Sequence, residues 1–299
     1  MSVAVKASLE KLLTGIVDYA GLFPPAQLSL PEAVLNYATY RNSNFSWMLG
    51  RFIVQIDLLD EFVAEAGEFF GASSELWRVS VIANEDFYET VRRVDNFNAV
   101  HAAHAVCDAL EIKVWSAAEI EHVAGNLPHQ VTAYFELPLD EKLADLVGAL
   151  SLHKQRAKIR TGGVTAEAFP ETEAIVRFVR TCLAANVPFK ATAGLHHPLR
   201  CLRPLTYAEN APAGVMNGFL NLFLAAGFVR EGFKAELIRE ILLEEDPAAF
   251  VFEDNGLWWR QEHFLGIKQI ERLRESHAIS FGSCSFTEPV EDLRELGLF

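Results

Sequence analysis

Cysteine is scarce and dispersed. Cys107, Cys182, Cys201 and Cys284 form no C-x-x-C pair, so neither a zinc knuckle nor a disulfide framework is expected. Basic charge is also short: 26 Lys and Arg stand against 40 Asp and Glu, for a net charge of −14. Nucleic acid and anionic membrane both need a basic surface, so neither is an expected partner. No apolar run is long enough to span a bilayer, since even 214–227 is interrupted by Asn217 and Asn221. The opening Met1–Lys6 lacks a secretory signal, and a reducing, cytoplasmic setting is the expectation. Repeats and Ser/Gly linkers are missing as well, which favours a single domain over 1–299.

What is present is 299 residues, 51% of them hydrophobic, enough for one barrel-sized core. Short runs rich in β-branched and aromatic residues recur at Arg51–Asp57, Trp77–Ala83, Glu111–Trp115, Val131–Leu137, Ala157–Thr161, Pro188–Ala193 and Ala278–Gly282. Helical patterns lie between them, at Leu58–Phe70, Asp86–Asp108, Ala117–Gly125, Asp140–His153, Glu171–Asn186 and Pro289–Leu296. A further helix begins after Ser29, where Ser29-Leu30-Pro31-Glu32 reads as a capping box with proline in the first turn. Such alternation predicts a parallel sheet with its helices outside. With Gly15–Tyr19 as an eighth strand, the pattern closes a (β/α)8 TIM-like barrel. Residues 211–276 then form a mostly helical insertion before the last strand, with a hairpin turning at Asp254-Asn255-Gly256. The alternative is an open doubly wound sheet, although the G-x-G-x-x-G turn of its dinucleotide-binding members is missing.

Barrels carry their chemistry at the C-terminal ends of the strands. That rule collects Asp18 and Tyr19, Glu136, Lys158, Arg160, Lys190, Thr192, His196, His197 and Ser283 beside Cys284, with Lys113 mid-strand. A cation on a buried strand needs a partner or a ligand. Lys158 and Lys190 are therefore candidates for a Schiff-base amine or a general base, if a second cation nearby lowers the amine pKa. A structural ion network, for example Lys113 or Lys158 with Glu136, is the other reading of the same residues. Arg160 suits a carboxylate or phosphate through its planar fork. The small residues of Arg160-Thr161-Gly162-Gly163 and of 281–285 either cradle an anion or simply allow tight turns.

His196 and His197 are candidate ligands of a divalent metal with Glu136 and Asp18, or else hydrogen-bond their loop or a substrate. The segment 18–26 is either a lid or a plug. The Gly218–Leu224 stretch is either a buried helix or a contact in a homo-oligomer. Ser283 lacks the G-x-S-x-G elbow of a serine hydrolase, and His101 and His104 lack the H-E-x-x-H spacing of zinc proteases.

The strings D-Y-A-G-L-F-P-P-A (18–26), W-M-L-G-R-F (47–52), K-I-R-T-G-G (158–163), P-F-K-A-T-A-G-L-H-H-P (188–198), F-L-N-L-F (219–223) and S-F-G-S-C-S-F (280–286) are specific as a set. Together they resemble an uncharacterised bacterial protein family over nearly the whole chain, and that resemblance implies no activity. The strand-end lysines are loosely similar to those of class I aldolases. The G-L-H-H run is loosely similar to the H-x-H of metal-dependent carbon–carbon lyases, without the intervening residue or the R-D-G opening.

The expected function is a barrel enzyme for a small carboxylate- or phosphate-bearing metabolite, of lyase or isomerase type, working beside a carbonyl. Lys190 or Lys158 would act as amine or base, Arg160 as anion clamp and Glu136 as proton carrier. Two other classes share these residues: a metal-dependent hydrolase on His196 or His197, Glu136 and Asp18, and a metabolite-binding protein without turnover.

Overall fold

The computed structural model describes residues 5–71 and 75–299. Met1–Ala4, which carry most of the expectation about a leader, lie outside the described residues. Helix α1 (Ala7–Leu13) precedes β1 (Val17–Tyr19), and the chain then alternates through α2 (Leu30–Arg41), β2 (Leu49–Gln55), α3 (Leu59–Ala66), β3 (Trp77–Ile82) and α4 (Phe87–His101). The alternation continues with β4 (Ala105–Lys113), α5 (Ala117–Ala124), β5 (Thr132–Glu136), α6 (Leu143–Leu152), β6 (Arg156–Arg160), α7 (Thr172–Ala184) and β7 (Phe189–Thr192). A ribbon of β8 (Cys201–Pro204) and β9 (Ala213–Met216) follows, then α8 (Phe219–Arg230) and α9 (Ala235–Leu242). Last come β10 (Phe250–Glu253), β11 (Gly256–Trp259), β12 (His263–Gly266), α10 (Ile267–Ser276), β13 (Ala278–Ser283) and α11 (Thr287–Glu295).

Eight strands close a parallel barrel in the order β1-β13-β7-β6-β5-β4-β3-β2. Closure falls between β1 and β13, where Asp18 pairs with Gly282 and Tyr19 with Ser283. This is a TIM-like barrel, and the open-sheet alternative is excluded by that pairing. Both faces of each strand are covered, which is why they read as apolar runs in the sequence. No helix among the described residues is long and apolar enough to cross a membrane.

The two largest differences from the expected element boundaries are adjacent. Helix α4 stops at His101, and β4 begins at Ala105, inside the predicted helix 86–108. Asn98 is the reason: its amide donates to Cys107 O and accepts from Cys107 N, tying the helix to a strand residue. The register also shifts at that point, as Val79 faces Cys107 and Ser80 faces Ala109, so a bulge accommodates Asp108.

Within 211–276, α8 is part of the barrel wall. Ten of its residues are buried, and Phe219 stacks on Phe281 of β13 at 4.9 Å. The F-L-N-L-F stretch is thus buried within this chain. Asn221 fits there because its amide accepts from Arg200 N and donates to Ile241 O and Glu244 O. The insertion proper is the β8–β9 ribbon, which starts at Cys201, together with α9 and the sheet β10-β11-β12. The predicted hairpin at 250–259 is present with a third strand added.

Candidate active site

Alternation along a parallel strand sends every second side chain into the barrel. In register, Lys113 lies beside Glu136, Glu136 beside Lys158, and Lys158 beside Lys190. Glu111 between the two lysines and Asp18 beyond Lys190 complete a ladder of alternating charge. Lys190 Nζ is 2.6 Å from Asp18 Oδ2 and 2.7 Å from Glu111 Oε1; Lys158 Nζ is 2.7 Å from Glu111 Oε2 and 3.0 Å from Glu136 Oε2. Exposure rises along it, from 0% for the Asp18 and Lys190 side chains to 7% for Lys158 and 17% for Glu136, so it runs from the sealed interior to the mouth.

The sealed end is fully satisfied. Asp18 also accepts from Ser280 Oγ and from Arg51 N, and Glu111 accepts from Ser80 Oγ. Lys190 Nζ sits 5.3 Å from the centre of the Tyr134 ring, a cation–π contact. Below, Arg51 and Arg78 share Asp108, and Arg156 donates to Tyr134 Oη, closing the N-terminal end.

These contacts decide the protonation states. Burial alone would neutralise Glu111, but the charges of Lys158 and Lys190 outweigh it and hold its carboxyl far below the usual carboxylate range. Burial likewise favours neutral amines, yet Glu111 and Glu136 raise Lys158, and Asp18 and Glu111 raise Lys190. The expectation that a neighbouring cation lowers a lysine pKa is overturned, because Glu111 stands between the two ammonium groups. Glu111 was missed as a site residue. The signal was available, since Glu111 and Lys113 are two apart on one strand and share a face.

At the mouth lies a cavity of about 390 Å³. Its walls include Ile53, Ile82, Glu111, Lys113, Glu136, Lys158, Arg160, Thr192, His196 and Cys284, with Phe23, Pro24 and Pro25 of the 18–26 segment. That segment is therefore a wall of the open end rather than a plug of the barrel floor. A second cleft shares Lys113, Glu136 and Arg160 and continues outward past Trp115 and Glu167. Lys113 and Arg160 are exposed and make no ion pair among the described residues, Lys113 instead lying over the Trp115 ring at 4.6 Å. A larger groove of about 1210 Å³ runs between α7 and α8–α9, lined by Arg180, Arg230 and His277, and no ladder residue reaches it.

The other predicted site residues have different fates. Thr192 and Gly163 line the cavity. Thr161 spends its hydroxyl on Thr192 O and Ala193 O, so it braces the strand ends instead of meeting a ligand. Gly162 is a packing glycine, since a Cβ there would come within 2.5 Å of the Phe169 ring. Tyr19 points out of the barrel, as it must when Asp18 points in, and packs against Tyr37, Tyr40 and Phe52.

The proposed metal ligands do not converge. His196 Nδ1 is 3.2 Å from Glu288 Oε2, His197 pairs with Asp292, and Asp18 and Glu136 are engaged by lysines. No group of three or more His, Cys, Asp or Glu among the described residues could hold a metal ion. Adjacent residues in an extended segment diverge, and Pro198 does not turn the two rings together: their centres are 6.4 Å apart. Ser283 instead lies 3.5 Å from His196 Nδ1.

No protein family, curated protein or solved structure matches this chain.

Proposed function

We propose that the barrel is an enzyme of the lyase or isomerase type, acting on a small carbonyl compound that carries a carboxylate or phosphate. The observation that carries this reading is the contrast between a fully paired interior and two unpaired cations, Arg160 and Lys113, at the rim of a cavity of about 390 Å³. An anion is what those cations lack, and Arg160 offers a planar fork for it.

The roles follow from position. Lys190 is enclosed, its side chain 0% exposed and held by Asp18 and Glu111, so it fixes the ladder rather than meeting substrate. Lys158 lines the cavity and gives carboxylates two of its three N–H donors. As an ammonium it serves to hydrogen-bond a substrate carbonyl oxygen and to stabilise negative charge that develops there. Glu136, 3.0 Å from Lys158 Nζ and partly exposed, takes the proton from the adjacent carbon and returns it. Two carboxylates hold Lys158 in its charged form, which favours this electrostatic role over a Schiff base.

The test is solvent-deuterium incorporation, followed by NMR, into a panel of 2-oxo acids, 3-oxo acids and ketose phosphates. Incorporation into one class, abolished in Lys158→Met and Glu136→Gln, is the expected result. Thermal stabilisation by a panel member without exchange or turnover would leave a binding protein. Borohydride trapping of a keto acid on Lys158 would restore the Schiff-base route.

A further inference from the structure

Cys284 stands apart from the other three cysteines. It directly follows β13 and forms part of the wall of both the mouth cavity and a side cleft of about 260 Å³ that also contains Tyr207 and Glu288. Its Sγ is 3.9 Å from His196 Nδ1 and 3.8 Å from Tyr207 Oη. The same histidine nitrogen is 3.2 Å from Glu288 Oε2, and Tyr207 Oη donates to that carboxylate oxygen at 2.8 Å. One imidazole edge thus faces both a carboxylate and a thiol, while the tyrosine hydroxyl takes up part of the carboxylate's charge.

Burial disfavours a charged His196, but Cys284 and Glu288 outweigh it and raise the ring to about 9, so it is an imidazolium at neutral pH. The remaining thiols lack such a partner. Cys107 and Cys182 are completely buried, and desolvation pushes both up, Cys107 to about 12. Cys201 is more exposed than Cys284, yet partial burial pushes it up to about 11.

We propose that Cys284 is a nucleophilic thiolate paired with the His196 imidazolium, and that it takes small carbon electrophiles bearing a carboxylate, admitted through the barrel mouth. With a conjugated unsaturated carboxylate, the sulfur lone pair forms a C–S bond at the β-carbon. The alkene pair shifts toward the carbonyl, and the Nδ1 proton of His196 passes to the α-carbon. The result is net addition of the thiol, with nothing oxidised or reduced. With a haloacetate the C–S bond replaces the carbon–halogen bond, halide leaves, and the imidazolium keeps its proton. The preference for a carboxylate rests on the anion site assigned to Arg160 and Lys113; the thiolate itself does not.

The experiment is substoichiometric alkylation of the full chain at pH 7 with iodoacetamide, and separately with iodoacetate, followed by peptide mass mapping. Cys284 is expected to react with iodoacetamide before the more exposed Cys201. His196→Gln should slow Cys284 about tenfold at pH 7 without changing Cys201. If Cys201 reacts first, or no cysteine reacts ahead of the others, the thiolate assignment is overturned. That ordering in the unmutated chain decides the matter even where His196→Gln fails to fold. The rate ratio of iodoacetate to iodoacetamide should be about tenfold higher at Cys284 than at Cys201. Equal ratios with Cys284 still first would overturn the carboxylate preference and the rim anion site, while leaving the thiolate in place.

Discussion

Lys158 and Glu111 form an ion pair at 2.7 Å in which the lysine side chain is 7% exposed and the glutamate 1%. Glu111 is the only acid of the ladder that bridges two lysines, each of which has one further carboxylate, Glu136 for Lys158 and Asp18 for Lys190. Removing Glu111 leaves each buried ammonium with one carboxylate in place of two and breaks the link between them.

Glu111→Gln should therefore destabilise the barrel by about 3–5 kcal/mol, because two lysines lose their common counter-charge. Urea unfolding measures this. A loss below about 1 kcal/mol would mean that water already solvates the ladder.

The ladder also sets a pH window. The folded pKa of Glu111 lies below its unfolded value, so its contribution is complete above about 4.3 and lost as pH falls further. Lys158 and Lys190 are raised, so theirs is complete below about 10.4 and lost as pH climbs past it. His196, raised to about 9, contributes fully below about 6.5 and loses that stability as pH rises through 9. Urea midpoints should fall steeply below pH 4, and the slope between pH 6.5 and 9 should vanish in His196→Gln. A flat profile from pH 5 to 3 would contradict the charge assignment of Glu111.

Arg160 is exposed and makes no ion pair among the described residues, so Arg160→Ala should leave stability within about 0.5 kcal/mol of the parent. Substrate or anion affinity should fall by about tenfold or more, with a smaller change in kcat. Unchanged affinity for every anion tested would move the binding site away from the rim.

Gly50 tests how the floor of the ladder is held. A Cβ at this position would lie 2.4 Å from Asp18 Oδ1 and 3.1 Å from Val17 O. Gly50→Ala should cost about 1–3 kcal/mol and displace the carboxylate from Arg51 N. Differential scanning calorimetry would show it, and an unchanged Tm would mean that Asp18 has room to move.

Much of the barrel was legible because parallel strands buried on both faces write themselves as apolar β-branched runs. All eight barrel strands overlap predicted segments, including the short Val17–Tyr19 within Gly15–Tyr19, although β4 does so only over 111–113. The start of β4 was hidden, since Ala105-Val106-Cys107 extends a helical pattern and only the Asn98 bridge and the bulge separate the two. The third strand β12 was hidden too, because its partner β11 was needed to give it meaning.

The candidate site was legible by position but not by role. Lys158, Lys190 and Glu136 were identifiable as strand-end polar groups, yet nothing local distinguished the enclosed Lys190 from the cavity-lining Lys158. Tyr19 and Thr161 failed as ligand residues for reasons of direction. One faces the helical layer, and the other is spent on backbone carbonyls.

The sequence by itself determined the alternation of strands and helices and the polar character of the strand ends, because periodicity and turn chemistry are local properties. Only the tertiary structure decided which groups are charged and which are reachable. Lys190 meets Asp18 across 172 residues and Glu111 across 79, and the state of a buried ion is set by the groups that surround it in space.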